Sequence, residues 1–131
     1  MKVLVVDDEL HITTLLKLTL EMNGYEVVIA NDGVEALERV ESDHPDLILL
    51  DIKMPRLNGW QVCEKLKSDE LTRSIPIIMV TAFAQNEARQ RSLELGADDF
   101  VSKPFESTLL LESIQKVLNK SSDGSSPAPS A

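Results

Sequence analysis

Only one cysteine, Cys63, stands in the 131 residues, so no disulfide can close within the chain and no thiolate metal cluster can be assembled from it. That usage fits a reducing cytoplasm. Long hydrophobic runs are missing as well: no apolar stretch approaches the roughly 20 residues needed to span a bilayer, and no membrane association is expected. Strand-like residues follow Met1 at once, so secretion by a signal peptide is not expected. Positive charge is scarce, with 13 Lys and Arg against 22 Asp and Glu and a formal net charge of −9. Such a surface repels a phosphate backbone, so direct nucleic-acid binding by this segment is not expected. What is present is an ordinary globular composition, 43% apolar and 27% charged, in a length that supports one domain with one substantial core.

Three short apolar runs rich in β-branched residues, Val3 to Val6, Leu47 to Leu50 and Ile77 to Val80, have the character of strands buried on both faces. Tyr25 to Ala30 and Asp99 to Val101 supply two more. Helical periodicity fills the intervals. The first helix sets Ile12, Leu15, Leu16 and Leu20 on one face; the second starts at Asp32 with Glu35 at capping-box spacing and buries Leu37 and Val40. The third repeats that logic with Asn58 and Gln61 and buries Val62 and Leu66. The fourth, about Gln85 to Leu95, carries only Ala88, Leu93 and Leu95 before Gly96 offers a left-handed stop. The fifth sets Leu110, Ile114, Val117 and Leu118 on one side and is expected to fray near Lys120. Residues 121–131, rich in Ser, Pro and Gly, read as a disordered tail or linker, which puts the domain at residues 1–120. Five alternations of strand and helix with right-handed crossovers predict a doubly wound α/β domain, a (βα)5 parallel sheet of flavodoxin-like strand order 2-1-3-4-5.

In such sheets ligands bind beyond the carboxyl ends of the strands, where the strand order reverses. The first strand ends in Asp7 and Asp8, the third in Asp51, the fourth in Thr81, and the fifth runs into Ser102 and Lys103. Three carboxylates are thereby predicted to meet beside a hydroxyl and an ammonium group. Ionised carboxylates crowded in one cleft repel unless a cation compensates, and oxygen ligands beside a phosphate describe Mg²⁺. That ion, with Lys103, would neutralise the charge on a transferring phosphoryl group, leaving Asp51 free as the nucleophile.

The motifs Asp7-Asp8, Asp51-Ile52-Lys53-Met54-Pro55 with Asn58-Gly59, Thr81-Ala82, and Asp98-Asp99-Phe100-Val101-Ser102-Lys103-Pro104 stand in the order and at the spacing of receiver domains. Over residues 2 to 119 the chain resembles the response-regulator receiver domains of two-component signal transduction. The resemblance implies that Asp51 accepts the phosphoryl group, that Asp7 and Asp8 bind Mg²⁺, Asp8 directly, and that the Lys53 backbone carbonyl completes the protein ligands. Thr81 and Lys103 would bind phosphoryl oxygens. Phe100 would change rotamer as Thr81 moves, without the ring hydroxyl that a tyrosine there would offer. Lys103-Pro104 would be a cis peptide. The implied partners are a sensor histidine kinase or histidine phosphotransfer protein as donor and a downstream output domain or protein. Signalling, with or without phosphorylation-dependent dimerisation, would use the face of the fourth helix, fifth strand and fifth helix.

Blander readings exist for each residue. Asp8 alone could be a helix N-cap, Asp51 a turn former, Thr81 a strand residue and Lys103 a solvated lysine. Their convergence on one sheet edge is what favours a site. Cys63 and Trp60 read as packing residues, His11 and His44 have no partner at recognisable spacing, and Leu109 to Leu111 read as core plus one exposed residue. The alternative is an Mg²⁺-dependent phosphohydrolase with an aspartyl nucleophile, but hydrolases of the haloacid-dehalogenase type carry a second Asp two residues on as general acid, where this chain has Lys53. A nucleotide or flavin binder would need a Gly-rich turn after the first strand, where it has Asp7-Asp8-Glu9.

Overall fold

The computed structural model describes residues 1–83 and 85–125. Strand and helix alternate as β1 (Lys2–Val6), α1 (Leu10–Glu21), β2 (Glu26–Ala30), α2 (Gly33–Asp43), β3 (Leu47–Leu50), α3 (Gly59–Lys67), β4 (Ile77–Thr81), α4 (Asn86–Glu94), β5 (Asp99–Ser102) and α5 (Ser107–Ser125). All neighbouring strands are parallel, in the order β2-β1-β3-β4-β5 that the alternation predicts. The direction of winding reverses between β1 and β3.

Apolar residues occupy both faces of the three central strands because helices cover both. Val3, Val5, Leu47, Leu49, Ile78 and Val80 pack against Leu16 and Leu20 of α1 and Leu110, Ile114 and Val117 of α5. Leu4, Val6, Ile48, Leu50, Ile77 and Met79 face Val40 of α2, Val62 and Leu66 of α3, and Ala88 of α4. Two aspartates bracket the starts of strands. Asp46 donates its N–H to the Lys2 carbonyl and accepts the Lys2 N–H on its carboxylate, both at 2.8 Å. Asp98 treats Ile77 the same way, at 2.7 and 2.8 Å.

Helix starts follow their caps. In α3 the Asn58 side chain accepts the Gln61 N–H while the Gln61 side chain accepts the Asn58 N–H, a complete capping box. In α2 Asp32 accepts from Glu35 N, but the Glu35 carboxylate reaches one residue further back, to the Asn31 N–H at 2.6 Å. Gly96, at φ +107, takes the left-handed position after α4.

Three expectations are corrected. Leu15 is 48% exposed, and Thr13 occupies the buried stripe of α1 with Leu16 and Leu20, its hydroxyl satisfied by the Leu10 carbonyl. Leu93 of α4 is likewise outside, and Ser92 is inside, its hydroxyl held between Trp60 Nε1 and the Ala88 carbonyl. The helix expected to fray near Lys120 continues to Ser125, since extending an existing helix adds a hydrogen bond for each residue fixed. Residues 126–131 of the expected tail lie outside the described residues. Among the described residues no helix is long and apolar enough to cross a membrane.

Candidate functional site

β1 and β3 are adjacent and in register, Val6 opposite Leu50, so the residues that follow them emerge side by side at the carboxyl edge. Asp7, Asp8 and Asp51 each offer a carboxylate oxygen, and these atoms lie within 4.8 Å of one another. Trans ligands of a six-coordinate Mg²⁺ stand about 4.2 Å apart at bonds of 2.0–2.1 Å, so the donor set is hard, anionic and close to the right size. Asp7 and Asp51 are buried while Asp8 is exposed, leaving one side of the cluster open to solvent.

Each buried carboxylate divides its oxygens between backbone and lysine. Asp7 Oδ1 accepts from Glu9 N at 3.0 Å, and Asp51 Oδ1 from Ile52 N at 2.7 Å. Lys103 Nζ bridges the other two oxygens, 2.6 Å from Asp7 Oδ2 and 3.0 Å from Asp51 Oδ2, with Glu9 at 3.6 Å. Burial and the neighbouring Asp51 push the Asp7 carboxyl above its ordinary value, against the hydrogen bonds from Lys103 and Glu9. Burial opposes charge on Lys103, yet its bonds to Asp7 and Asp51 hold it above the usual lysine value. One ammonium among three carboxylates leaves the cleft short of positive charge, the deficit a divalent ion would fill.

Asp8 does not cap α1: the N-cap position belongs to Glu9, which makes no side-chain cap bond, and the loop is held instead by Asp7. The bland reading of Asp8 is thereby removed. Lys103 is not a solvated surface lysine, its side chain being 8% exposed. Thr81 is buried at the end of β4, two positions past Met79, which pairs with Leu50, and its hydroxyl accepts the Phe83 N–H at 3.1 Å. Lys103 N–H in turn bonds the Thr81 carbonyl, and the Lys103-Pro104 peptide is cis.

Phe100 is buried, 6% exposed, in the core face under α4, with the Arg89 guanidinium 5.7 Å from the ring centre. Cys63 is fully buried, its thiol pushed up to about 11 by burial, and is a packing residue.

Sequence reasoning missed a second group beside the site. Lys53 Nζ lies 4.4 Å over the Phe83 ring, Phe83 stands 5.8 Å from Trp60, and the Trp60 indole donates to Ser92 of α4 at 2.9 Å. It also missed the link from Arg56, in the loop after Asp51, to Asp32 at the start of α2. No periodicity signals either contact.

Fold and site define a flavodoxin-like α/β domain with an acidic cleft at its topological switch point. The family model for the response regulator receiver domain matches residues 3–115, and the chain belongs to that family of two-component signalling proteins. It is 44% identical over 120 residues to the alkaline phosphatase synthesis transcriptional regulatory protein PhoP of Bacillus subtilis, covering 92% of this chain and 49% of the relative. To the phosphate regulon transcriptional regulatory protein PhoB of Pseudomonas aeruginosa it is 41% identical over 127 residues, covering 97% and 56%. The chain thus spans about half the length of these relatives. A CheY-like response regulator receiver domain protein from Methanospirillum hungatei JF-1 superposes with a TM-score of 0.88 at 36% identity, over 94% of this chain and 97% of that one.

Proposed function

We propose that the chain is a phosphorylation switch in which Asp51 accepts a phosphoryl group from a histidine kinase or histidine phosphotransfer protein. The observation that carries this reading is the Lys103 ammonium bridging Asp7 and Asp51 inside a cluster of three carboxylates. An Asp51 carboxylate oxygen attacks the donor phosphorus, the bond from phosphorus to the donor imidazole breaks, and the imidazole leaves with its electron pair. Asp7, Asp8, Asp51 and the Lys53 carbonyl would hold Mg²⁺, whose charge balances the phosphoryl oxygens. Lys103 supplies a fixed cation and the Thr81 hydroxyl a hydrogen-bond donor to those oxygens.

The same module would catalyse only its own transfer and a slow loss of phosphate by hydrolysis. Lys53, with its amine over the Phe83 ring, occupies the sequence position at which a hydrolase of the haloacid-dehalogenase type carries its general acid. Thr81 drawn toward the phosphoryl group would release the Phe83 N–H and reach the face of α4, β5 and α5, where an output domain, an output protein or a second copy would read the change. A cytoplasmic location fits the single buried thiol.

Incubation with acetyl phosphate and Mg²⁺, followed by intact-mass measurement, tests the assignment. One phosphoryl adduct is expected on the wild type and none on Asp51→Asn. An adduct of equal yield on the Asn variant would overturn it.

A further inference from the structure

The loop between β3 and α3 contains a residue in an unfavourable conformation. Arg56 sits at φ +71, and the Leu57 N–H donates to the Pro55 carbonyl at 2.9 Å, closing a three-residue turn around it. Turns of this left-handed kind are rare and strained, and outside glycine such φ values favour Asn or Asp. Arginine is therefore a poor choice for the backbone. Its guanidinium explains its presence: Nε lies 3.2 Å from Asp32 Oδ2, and Nη2 lies 3.0 and 3.2 Å from Oδ2 and Oδ1. The planar fork takes both oxygens of one carboxylate, a geometry lysine cannot reproduce.

Asp32 is anchored on its own account, because Oδ1 also accepts the Glu35 N–H at the start of α2. The next residue, Gly33, provides a seat for the loop: a Cβ there would lie 2.3 Å from the Leu57 carbonyl oxygen. Beyond Leu57 the chain is fixed again by the Asn58–Gln61 capping box and by Gly59 N–H to the Ile52 carbonyl at 2.8 Å. The loop carrying Lys53 is thus pinned to α2 on one side and α3 on the other. Backbone strain in a loop beside a reactive carboxylate persists only when surrounding contacts over-determine it.

We propose that Arg56, through its forked pair with Asp32, is a positioning residue for the acceptor site, holding the loop from Asp51 to Asn58 so that the Lys53 carbonyl faces the metal position. This rests on the reading of the site as an Mg²⁺-dependent phosphoryl acceptor. Neither Arg56 nor Asp32 touches the reacting atoms. Their effect is on where the Lys53 oxygen stands.

Four variants separate positioning from mere stability. Arg56→Gly removes the fork but suits the positive φ, so its melting temperature should stay near that of the wild type. Arg56→Lys keeps the charge and loses the fork. Asp32→Asn keeps an N-cap acceptor of equal quality and loses the charge, and Asp32→Asn with Arg56→Gly completes a double-mutant cycle. Mg²⁺ alone is titrated into each by calorimetry, and the initial rate of adduct formation from acetyl phosphate is followed by intact mass.

Positioning predicts Mg²⁺ affinity lowered about threefold to tenfold in both the Gly and the Asn single variants, with a lesser loss in the Lys variant. The double variant should be no worse than the weaker single one. Equal Mg²⁺ affinity in all variants, with wild-type phosphorylation intact, would overturn the proposal and leave the site assignment standing. Absence of both Mg²⁺ binding and an adduct in the wild type would overturn the site assignment and this proposal with it.

Discussion

Gly59→Ala is the substitution whose cost is most directly set by the geometry. A Cβ on residue 59 would lie 2.1 Å from the Asp51 carbonyl oxygen and 2.9 Å from both the Asp51 carbonyl carbon and the Ile52 Cα. All three obstacles are backbone, so no flexible side chain can swing away. A carbon and an oxygen need about 3.3 Å, and either the first turn of α3 or the Asp51–Ile52 peptide must retreat by about 1 Å. That retreat stretches the 2.8 Å bond from Gly59 N–H to the Ile52 carbonyl. Overpacking of this kind costs about 2–3 kcal/mol, and in a domain of this size each kcal/mol lowers Tm by roughly 3–4 °C. Thermal denaturation followed by circular dichroism should therefore show a loss of about 6–12 °C. The same peptide carries the Ile52 N–H that holds Asp51 Oδ1, so acceptance of a phosphoryl group from acetyl phosphate should slow as well. A Tm within about 2 °C of wild type would show that helix and acceptor loop separate freely, and would refute the close contact as a constraint.

Asp99 is held below its ordinary value of 3.8: burial pushes its carboxyl up, but bonds from the Ser113 hydroxyl, the Phe100 N–H and the Lys116 ammonium outweigh it. A depressed folded-state carboxyl contributes stability above the unfolded value that is lost as pH falls through the folded one. Asp99→Asn should thus cost about 1 kcal/mol near neutral pH, after discounting for solvent at this sheet edge, and urea midpoints should converge with wild type below about pH 4; a gap independent of pH would contradict this. Ser92→Ala strips the Trp60 indole N–H of its partner and should cost about 1–3 kcal/mol by urea unfolding, a loss under about 0.5 kcal/mol being the contrary result. Asp8→Asn should weaken Mg²⁺ binding about tenfold or more by calorimetry while leaving Tm of the metal-free protein nearly unchanged, because Asp8 is exposed and caps nothing; unchanged affinity would remove it from the ligand set.

The architecture was legible because its signals are redundant. Val3 to Val6, Leu47 to Leu50 and Ile77 to Val80 declare buried strands by composition alone, and handedness with alternation then leaves few strand orders. The cluster of Asp7, Asp8, Asp51 and Lys103 was legible for the same reason, as strand ends in a parallel sheet share one edge. Exposure within helices was less so. Periodicity ranks Leu15 above Thr13 and Leu93 above Ser92, whereas a hydroxyl with a local carbonyl or an indole partner is buried at little penalty. The Arg56–Asp32 fork joins residues 24 apart in the chain, a contact that spacing does not encode.

The two brackets formed by Asp46 and Asp98 have a consequence for the fidelity of folding. In a sheet with one wet face, slipping a strand by one residue exposes its apolar set, and the error corrects itself. Here both faces of β1, β3 and β4 are apolar, so a slipped strand would still find an oily helix on either side. Burial is nearly blind to alignment. Each aspartate closes a ring with one residue of the adjoining strand, Lys2 or Ile77, and that ring forms in a single alignment. These carboxylates act as index marks, carrying the positional information that an all-apolar sheet discards, and they do so at the edge opposite the acidic cleft, where no demand of chemistry competes with them.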